Sequence, residues 1–321
     1  LYAEDIESRS SAGHFRISID RAFTARGAGL VVTGTASSGM VSVGDTLRLL
    51  PREIELRVRG VRVHDEDARQ AKAGERCALN VVGKLESGAI ARGDWLVGAG
   101  AAPASHRIDV CVNLLESAPF SVKHLSPVKM YIGARRVAGR LALLDTGRED
   151  NRLPPGGNGF AQLILESGIA CCHGERFILR DHAENVILGG GIILDPYGPK
   201  SGKFRPARIA WLRAMQADSP GSALAGLIAG HQLVNIENFR RIWNLRDDEA
   251  IAVADTDTRL FSAEGKQWAV SHRLWAEADA RLMQHLDSWH QSHPAQQGIK
   301  VTDLKSALVQ HSESPLIIAT L

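Results

Sequence analysis

At 321 residues the chain is too long for one compact domain, and two or three are expected. Its 44% hydrophobic and 23% charged residues are ordinary soluble globular composition, and a net charge of +2 gives only a weak overall field. Any nucleic-acid partner therefore has to be met by local basic patches. No apolar run reaches transmembrane length, and the opening Leu1-Tyr2-Ala3-Glu4-Asp5 is nothing like a signal peptide, so no membrane partner is expected. A start at Leu rather than Met reads as a piece of a longer protein. Cys77, Cys111, Cys171 and Cys172 sit among apolar neighbours without CxxC spacing. That predicts reduced, mostly buried thiols in a cytoplasmic protein, with no disulfide framework and no metal site.

In chain order, residues 14–100 are short β-rich runs broken by glycines (15–20, 30–35, 45–50, 53–64, 76–82 and 95–97). Regular turns without helical period predict a small β-barrel or sandwich. Ala99-Gly100-Ala101-Ala102-Pro103-Ala104 is a linker by composition. Residues 105–198 bring a second set of strands (108–115, 128–132, 140–144, 160–165 and 176–180). It ends in Ile187-Leu188-Gly189-Gly190-Gly191-Ile192-Ile193-Leu194-Asp195-Pro196. A phosphate loop would put such glycines between a strand and a helix. Here Ile-Ile-Leu and Asp-Pro follow, so no helix starts, and the glycines relieve crowding where two strands bend or cross.

Beyond a second linker at 197–203 the period changes to helical over 208–216, 223–231 and 237–244. A hairpin follows, with strands at 260–263 and 267–270 joined across Glu264-Gly265-Lys266. Three short helices and a hairpin predict a winged-helix unit over 199–271. Residues 273–290 form a longer connecting helix, with Leu274, Ala278, Leu282, His285, Leu286 and Trp289 on one stripe. The last segment, within 272–321, reads as the start of a second winged-helix unit. The predicted class is mainly β plus α: two β-barrels followed by a winged-helix domain.

Phe23-Thr24-Ala25-Arg26-Gly27-Ala28-Gly29-Leu30-Val31-Val32-Thr33-Gly34-Thr35 is no dinucleotide loop, because its third glycine would fall on Val32 and a β-branched strand follows. It resembles the first long hairpin of elongation-factor domain two. Three further pieces match in order: Val43-Gly44-Asp45-Thr46-Leu47, residues 71–80, and Ile90-Ala91-Arg92-Gly93-Asp94-Trp95-Leu96. Gly174-Glu175-Arg176-Phe177-Ile178-Leu179-Arg180-Asp181 with the glycine run is similar to the end of domain three. Within that superfamily the chain most resembles the selenocysteine-specific branch (SelB type).

The resemblance implies a GTPase domain before residue 14, with residues 1–13 as the linker from it. GTP and magnesium would be bound there, since this chain carries no GxxxxGKS/T and needs no cofactor of its own. It also implies selenocysteinyl-tRNA, the ribosome and, through further C-terminal units, an mRNA hairpin as partners of the parent. No catalytic residue is expected in this chain. Another translational GTPase and a winged-helix nucleic-acid-binding module are the alternatives. Opposing Glu237, Asp247, Asp248 and Glu249 disfavour a duplex-binding face at Arg240 and Arg241.

By the same resemblance Asp20, Arg21 and Arg92 belong to the aminoacyl pocket; His64, at the end of an alternating strand, is a further lining candidate against a solvated or structural histidine. A selenol is ionised at neutral pH whereas a serine hydroxyl is not, so a nearby guanidinium would favour selenolate. Neighbouring strand residues face opposite ways, so Asp20 and Arg21 can share a pocket only if the strand bulges or ends there. A surface ion cluster closing the barrel is the competing reading. Lys129, Arg135, Arg136, Arg140 and Arg180 are the candidates for tRNA phosphate contacts, against a solvated charged face. Lys200, Lys203, Arg205, Arg208 and Arg213 form a basic run that either touches RNA or keeps the linker soluble. Cys171-Cys172-His173 offers a thiol–imidazole pair, but adjacent residues seldom point at each other, and buried thiols are the better account.

Overall fold

A computed structural model of the protein describes residues 12–308 apart from 28, 86–87, 145–150, 250 and 252–256, together with Leu316 and Ala319. Most of the expected 1–13 linker, and most of the chain after 308, lie outside the described residues. Packing divides the chain into two units: Leu1–Phe204 with Arg241–Glu249, and Arg205–Arg240 with Ala250–Leu321.

The first unit opens with β1 (Arg16–Ala25), β2 (Gly29–Ser38), β3 (Met40–Ser42), β4 (Thr46–Leu50) and β5 (Ile54–Val63). Strands β6 (Glu66–Ala68), β7 (Gln70–Lys72), β8 (Arg76–Val82) and β9 (Trp95–Gly98) follow. The sheet order β4-β9-β1-β2-β8-β5, closed by the β4–β5 pairing, is a six-stranded barrel with β6 on its edge and β3–β7 as a separate ribbon. Period-two alternation fills it: on β8, Cys77, Leu79 and Val81 point into a core that also holds Ile17, Leu49 and Leu56. Burial pushes the Cys77 thiol up to about 12, so it stays protonated.

A second closed barrel follows, ordered β10-β15-β13-β12-β16-β17. Its strands are β10 (Ser105–Leu114), β12 (Ser126–Ile132), β13 (Arg135–Leu143), β15 (Asn158–Ile169), β16 (Arg176–Asp181) and β17 (Ile187–Asp195). The ribbon β11 (Val122–Lys123) with β14 (Arg152–Leu153) lies beside them. The Gly189–Gly191 run is not a turn between two strands but lies inside the single strand β17, paired with β10 on one side and β16 on the other. Crowding is nonetheless its reason. A Cβ on Gly191 would come 2.0 Å from the Cys111 carbonyl oxygen, and one on Gly190 would come 2.4 Å from that of Phe177. Neighbouring backbones occupy the space where side chains would stand.

The linker after this barrel is packed down at its start. Buried Gln162 donates from Nε2 to Asp109 Oδ1 at 2.8 Å and to the Pro199 carbonyl at 3.1 Å. The Tyr197 hydroxyl donates to the Pro103 carbonyl at 3.0 Å, tying the two linker segments together.

In the second unit, α1 (Pro206–Ala214) and α2 (Pro220–Ala229) precede β18 (Val234–Asn235) and α3 (Ile236–Ile242), whose last two residues belong to the first unit. The hairpin β19 (Thr258–Ala263) and β20 (Lys266–Ser271) completes a sheet ordered β18-β20-β19. Both first helices begin two or three residues earlier than their apolar period suggests, because Pro206 and Pro220 occupy the first turn. Ser271 Oγ caps α4 (His272–Ser292) by accepting from Leu274 N at 3.1 Å, and the last helix is α5 (Val301–Leu308). Leu274, Ala278 and Leu282 are the buried face of α4, as the stripe predicts. Among the described residues no helix is long and apolar enough to cross a membrane.

Replacing Gly191 with alanine is expected to destabilise the second barrel by about 3 kcal/mol, at the upper end of overpacking costs. Denaturant melting followed by circular dichroism measures it, with Gly174→Ala, where no atom lies within 4 Å but φ is +81°, as the strain-only comparison.

Candidate functional site

Two buried charge pairs join the barrels. Asp94, 1% exposed, accepts from Arg52 Nη1 at 2.6 Å, from Arg135 Nη1 of the second barrel at 2.9 Å and from Ala91 N at 2.9 Å. Arg16, fully buried at the start of β1, donates to Glu175 Oε1 at 3.1 Å and lies 4.7 Å over the centre of the Trp95 ring. Burial opposes the charge on Arg16, but Glu175 more than compensates and keeps its pKa above the ordinary value. Ser18 Oγ also accepts from Ala134 N at 3.1 Å. Contact is close enough that a Cβ on Gly93 would come 2.6 Å from the Arg135 Cα.

Beside these joints the barrels leave a cavity of about 1020 Å³. Asp20 and Arg92 line it from the first barrel, and Glu175 and Arg176 from the second. The condition set by strand geometry is met: the β1–β2 register shifts between Ile19 and Arg21, so Asp20 is an extra residue in a bulge. Its carboxylate accepts from Thr33 Oγ1 and from Arg76 Nη1, each at 2.6 Å. Partial burial pulls its pKa up, but these two hydrogen bonds prevail and hold it below the usual carboxylate range. Arg92 and Arg176 are exposed and have no hydrogen-bond or ion-pair partner among the described residues. Arg21 is exposed beside the bulge and outside the cavity lining. His64 stands exposed in the β5–β6 turn with φ +52°, also away from that lining.

Residues 29–97 match the model of elongation factor Tu domain 2, and residues 107–200 that of the selenocysteine-specific elongation factor β-barrel domain. The chain is 37% identical over 219 residues to the selenocysteine-specific elongation factor of Escherichia coli K12, covering 67% of this chain and 33% of that protein. The chain belongs to the selenocysteine-specific elongation factors. The Haemophilus influenzae factor is 28% identical over 291 residues, covering 89% of this chain and 44% of its own length. A crystal structure of a bacterial selenocysteine-specific elongation factor shares the fold with a TM-score of 0.68 at 19% identity, over 98% of this chain and 48% of that one. The chain thus spans between a third and a half of the length of these three relatives.

In this elongation factor the second-barrel cations are largely engaged. Lys129, Tyr131 and Arg136 all donate to Glu184, Arg136 at 3.1 and 3.2 Å. Arg180 lies 6.0 Å from the Tyr131 ring centre and is the register partner of Lys129. Arg140 Nη1 reaches the Leu125 carbonyl at 3.4 Å, and Arg135 belongs to the Asp94 joint. Lys129, Arg136, Arg140 and Arg180 therefore gather on one outer face of β13, β12 and β16, whereas Arg135 turns to the first barrel.

Cys171 and Cys172 are buried, and desolvation with nearby Glu175 pushes the Cys172 thiol up to about 12. Neither forms the thiolate a nucleophile needs, and the His173 ring instead stacks on Trp243 with centroids 3.6 Å apart. Sequence reasoning missed Arg16, Asp94 and Trp243 as architectural residues. No local signal marked Arg16, since alternation turns it away from the core residues Phe15 and Ile17, and it is buried only where the second barrel supplies Glu175.

Two outcomes are expected. Asp94→Ala strands Arg135 and the Ala91 amide and should cost about 3 kcal/mol in a denaturant melt. Hydrogen bonds from Lys129 and Tyr131, with Arg136, hold the Glu184 pKa at about 2 against its ordinary 4.5. Its contribution to stability is therefore complete above pH 4.5 and lost as pH falls through about 2. A carboxyl carbon-13 titration that found Glu184 at its ordinary value would remove the cluster.

Proposed function

We propose that this chain is the tRNA-holding part of a factor that binds selenocysteinyl-tRNA and delivers it to the ribosome at a recoded stop codon. A GTPase domain preceding these barrels would supply GTP- and magnesium-dependent release, with no bond chemistry in the barrels themselves. The work of the parent is cytoplasmic. The observation that carries the reading is Arg92, an unpartnered guanidinium on the wall of a cavity whose other walls are fixed by buried pairs.

In this reading the selenolate of the esterified amino acid meets Arg92, with Arg21 as a second positive charge near the bulge. Asp20, already anchored by Arg76 and Thr33, receives the α-amino group. A neutral serine hydroxyl gains only an ordinary hydrogen bond there, whereas the selenolate gains a charge-assisted one. His64 approaches this end of the barrel only if the β5–β6 turn moves with bound tRNA. The outer face of Lys129, Arg136, Arg140 and Arg180 tracks tRNA phosphates without reading bases, and Arg135 serves it by fixing the second barrel.

The second unit, with its helix, helix, strand, helix and hairpin order, is read as a winged-helix unit at the base of an arm. Further units of that arm would grip an mRNA hairpin.

Arg92→Ala in the full-length protein is expected to reduce the preference for selenocysteinyl- over seryl-tRNA by about tenfold or more, the worth of one hydrogen bond to a charged group. Competition binding of the two charged tRNAs measures it, and an unchanged ratio removes Arg92 from the pocket.

A further inference from the structure

The segment Arg241–Glu249 belongs to the barrel unit although the chain on both sides of it does not. It touches both barrels. On the first, Asn244 Nδ2 donates to the His14 carbonyl at 2.9 Å and to Ser38 Oγ at 3.0 Å, while its own carbonyl accepts from His14 N at 3.1 Å. On the second, His173 N donates to the Ile242 carbonyl at 2.7 Å beneath the Trp243–His173 stack.

Local conformation is built for this contact. Asn244 is 6% exposed with φ +56°, a left-handed conformation that asparagine accepts more readily than most residues. Gly13 opposite has φ +81°, and a Cβ there would come 2.6 Å from the Asn244 carbonyl oxygen. Trp243, Asn244 and Leu245 also line the cavity that holds Asp20, Arg92 and Arg176.

The contact points are significant because of what they flank. His14 lies two residues before Arg16, and His173 two residues before Glu175. The segment therefore grips the same two stretches of chain that the buried ion pair joins. That pair is incompletely satisfied, since Arg16 Nε and Nη1 and Glu175 Oε2 are buried without a hydrogen-bond partner. Such a pair gains solvation if the barrels part, and the segment is a further tie across the groove beside the Asp94–Arg135 joint.

We infer that Trp243 and Asn244 are positioning residues, a clasp that sets the width of the cavity and so the reach of Arg92 and Arg176 toward what it binds. This rests on the aminoacyl reading only for the identity of the occupant. Substrate discrimination then depends on residues far in sequence from the pocket, because a small misplacement of a charged group forfeits most of its selective interaction.

The test uses the full-length protein with nitroxide labels at Arg92→Cys and Arg176→Cys in a Cys111→Ser background, read by pulsed electron spin resonance. A narrow distance distribution is expected, broadening or shifting outward in Asn244→Ala and in Trp243→Ala, and kept in Trp243→Phe, which retains the stack. Trp243→Ala leaves the Asn244 hydrogen bonds intact and serves if Asn244→Ala does not fold. A distribution unchanged by either alanine variant overturns the clasp. With Arg92 and Arg176 native, Asn244→Ala is further expected to lower the selenocysteinyl- over seryl-tRNA preference by about tenfold. Broadening without that loss upholds the clasp and overturns the aminoacyl reading of the cavity. Failure of either charged tRNA to bind the unaltered protein overturns that reading too, while the label distances still decide the clasp.

Discussion

A carboxylate that is 1% exposed and bonded to a guanidinium from each barrel cannot be removed from its partners without leaving charges stranded. Asp94 is therefore the joint on which the first unit depends. Removal of either arginine leaves it under-compensated, so the pair resists separation of the two barrels at this point. Arg16 and Glu175 repeat the device between other segments of the two barrels, with the Trp95 ring supplying a face for the guanidinium. A purely apolar joint of similar area could have been as stable. Charge pairs add the directionality that fixes register between two otherwise smooth barrel surfaces.

That packing fixes the walls of the cavity. An exposed guanidinium on a flexible surface discriminates weakly between an anion and a neutral hydroxyl, because water competes and the side chain pays entropy to hold one geometry. Against fixed walls a charged group is held nearer to one geometry. The outer face of the second barrel follows the opposite logic. There Glu184 draws Lys129, Tyr131 and Arg136 into one cluster, which orders the cations while leaving Arg136 61% exposed.

Much of the fold was legible because barrel strands carry their instructions locally. Alternation on β8 and the glycines of the β1–β2 turn were read correctly at nearly their observed bounds. The small ribbons β3–β7 and β11–β14 were not, since two- or three-residue strands leave no period to detect. The glycine run was read for the right reason but as a place where two strands bend or cross: crowding is a property of neighbouring strands, and the sequence of one strand does not reveal that it continues straight through. Of the candidate site, Asp20 and Arg92 were singled out through the motifs they sit in, whereas their common cavity depends on a bulge and on a second barrel.

The amino-acid sequence by itself determined the strands, the two barrels, the helical region after them and the family, because alternation, turn chemistry and ordered motifs are short-range and survive without tertiary context. Only the tertiary structure decided which charges became joints and which stayed free. Asp94 and Arg135 lie 41 residues apart, Arg16 and Glu175 lie 159 apart, and His14 and Asn244 lie 230 apart. A buried charge takes its meaning from its partner, and at such separations the partner is chosen by how closed barrels pack, which no local pattern encodes.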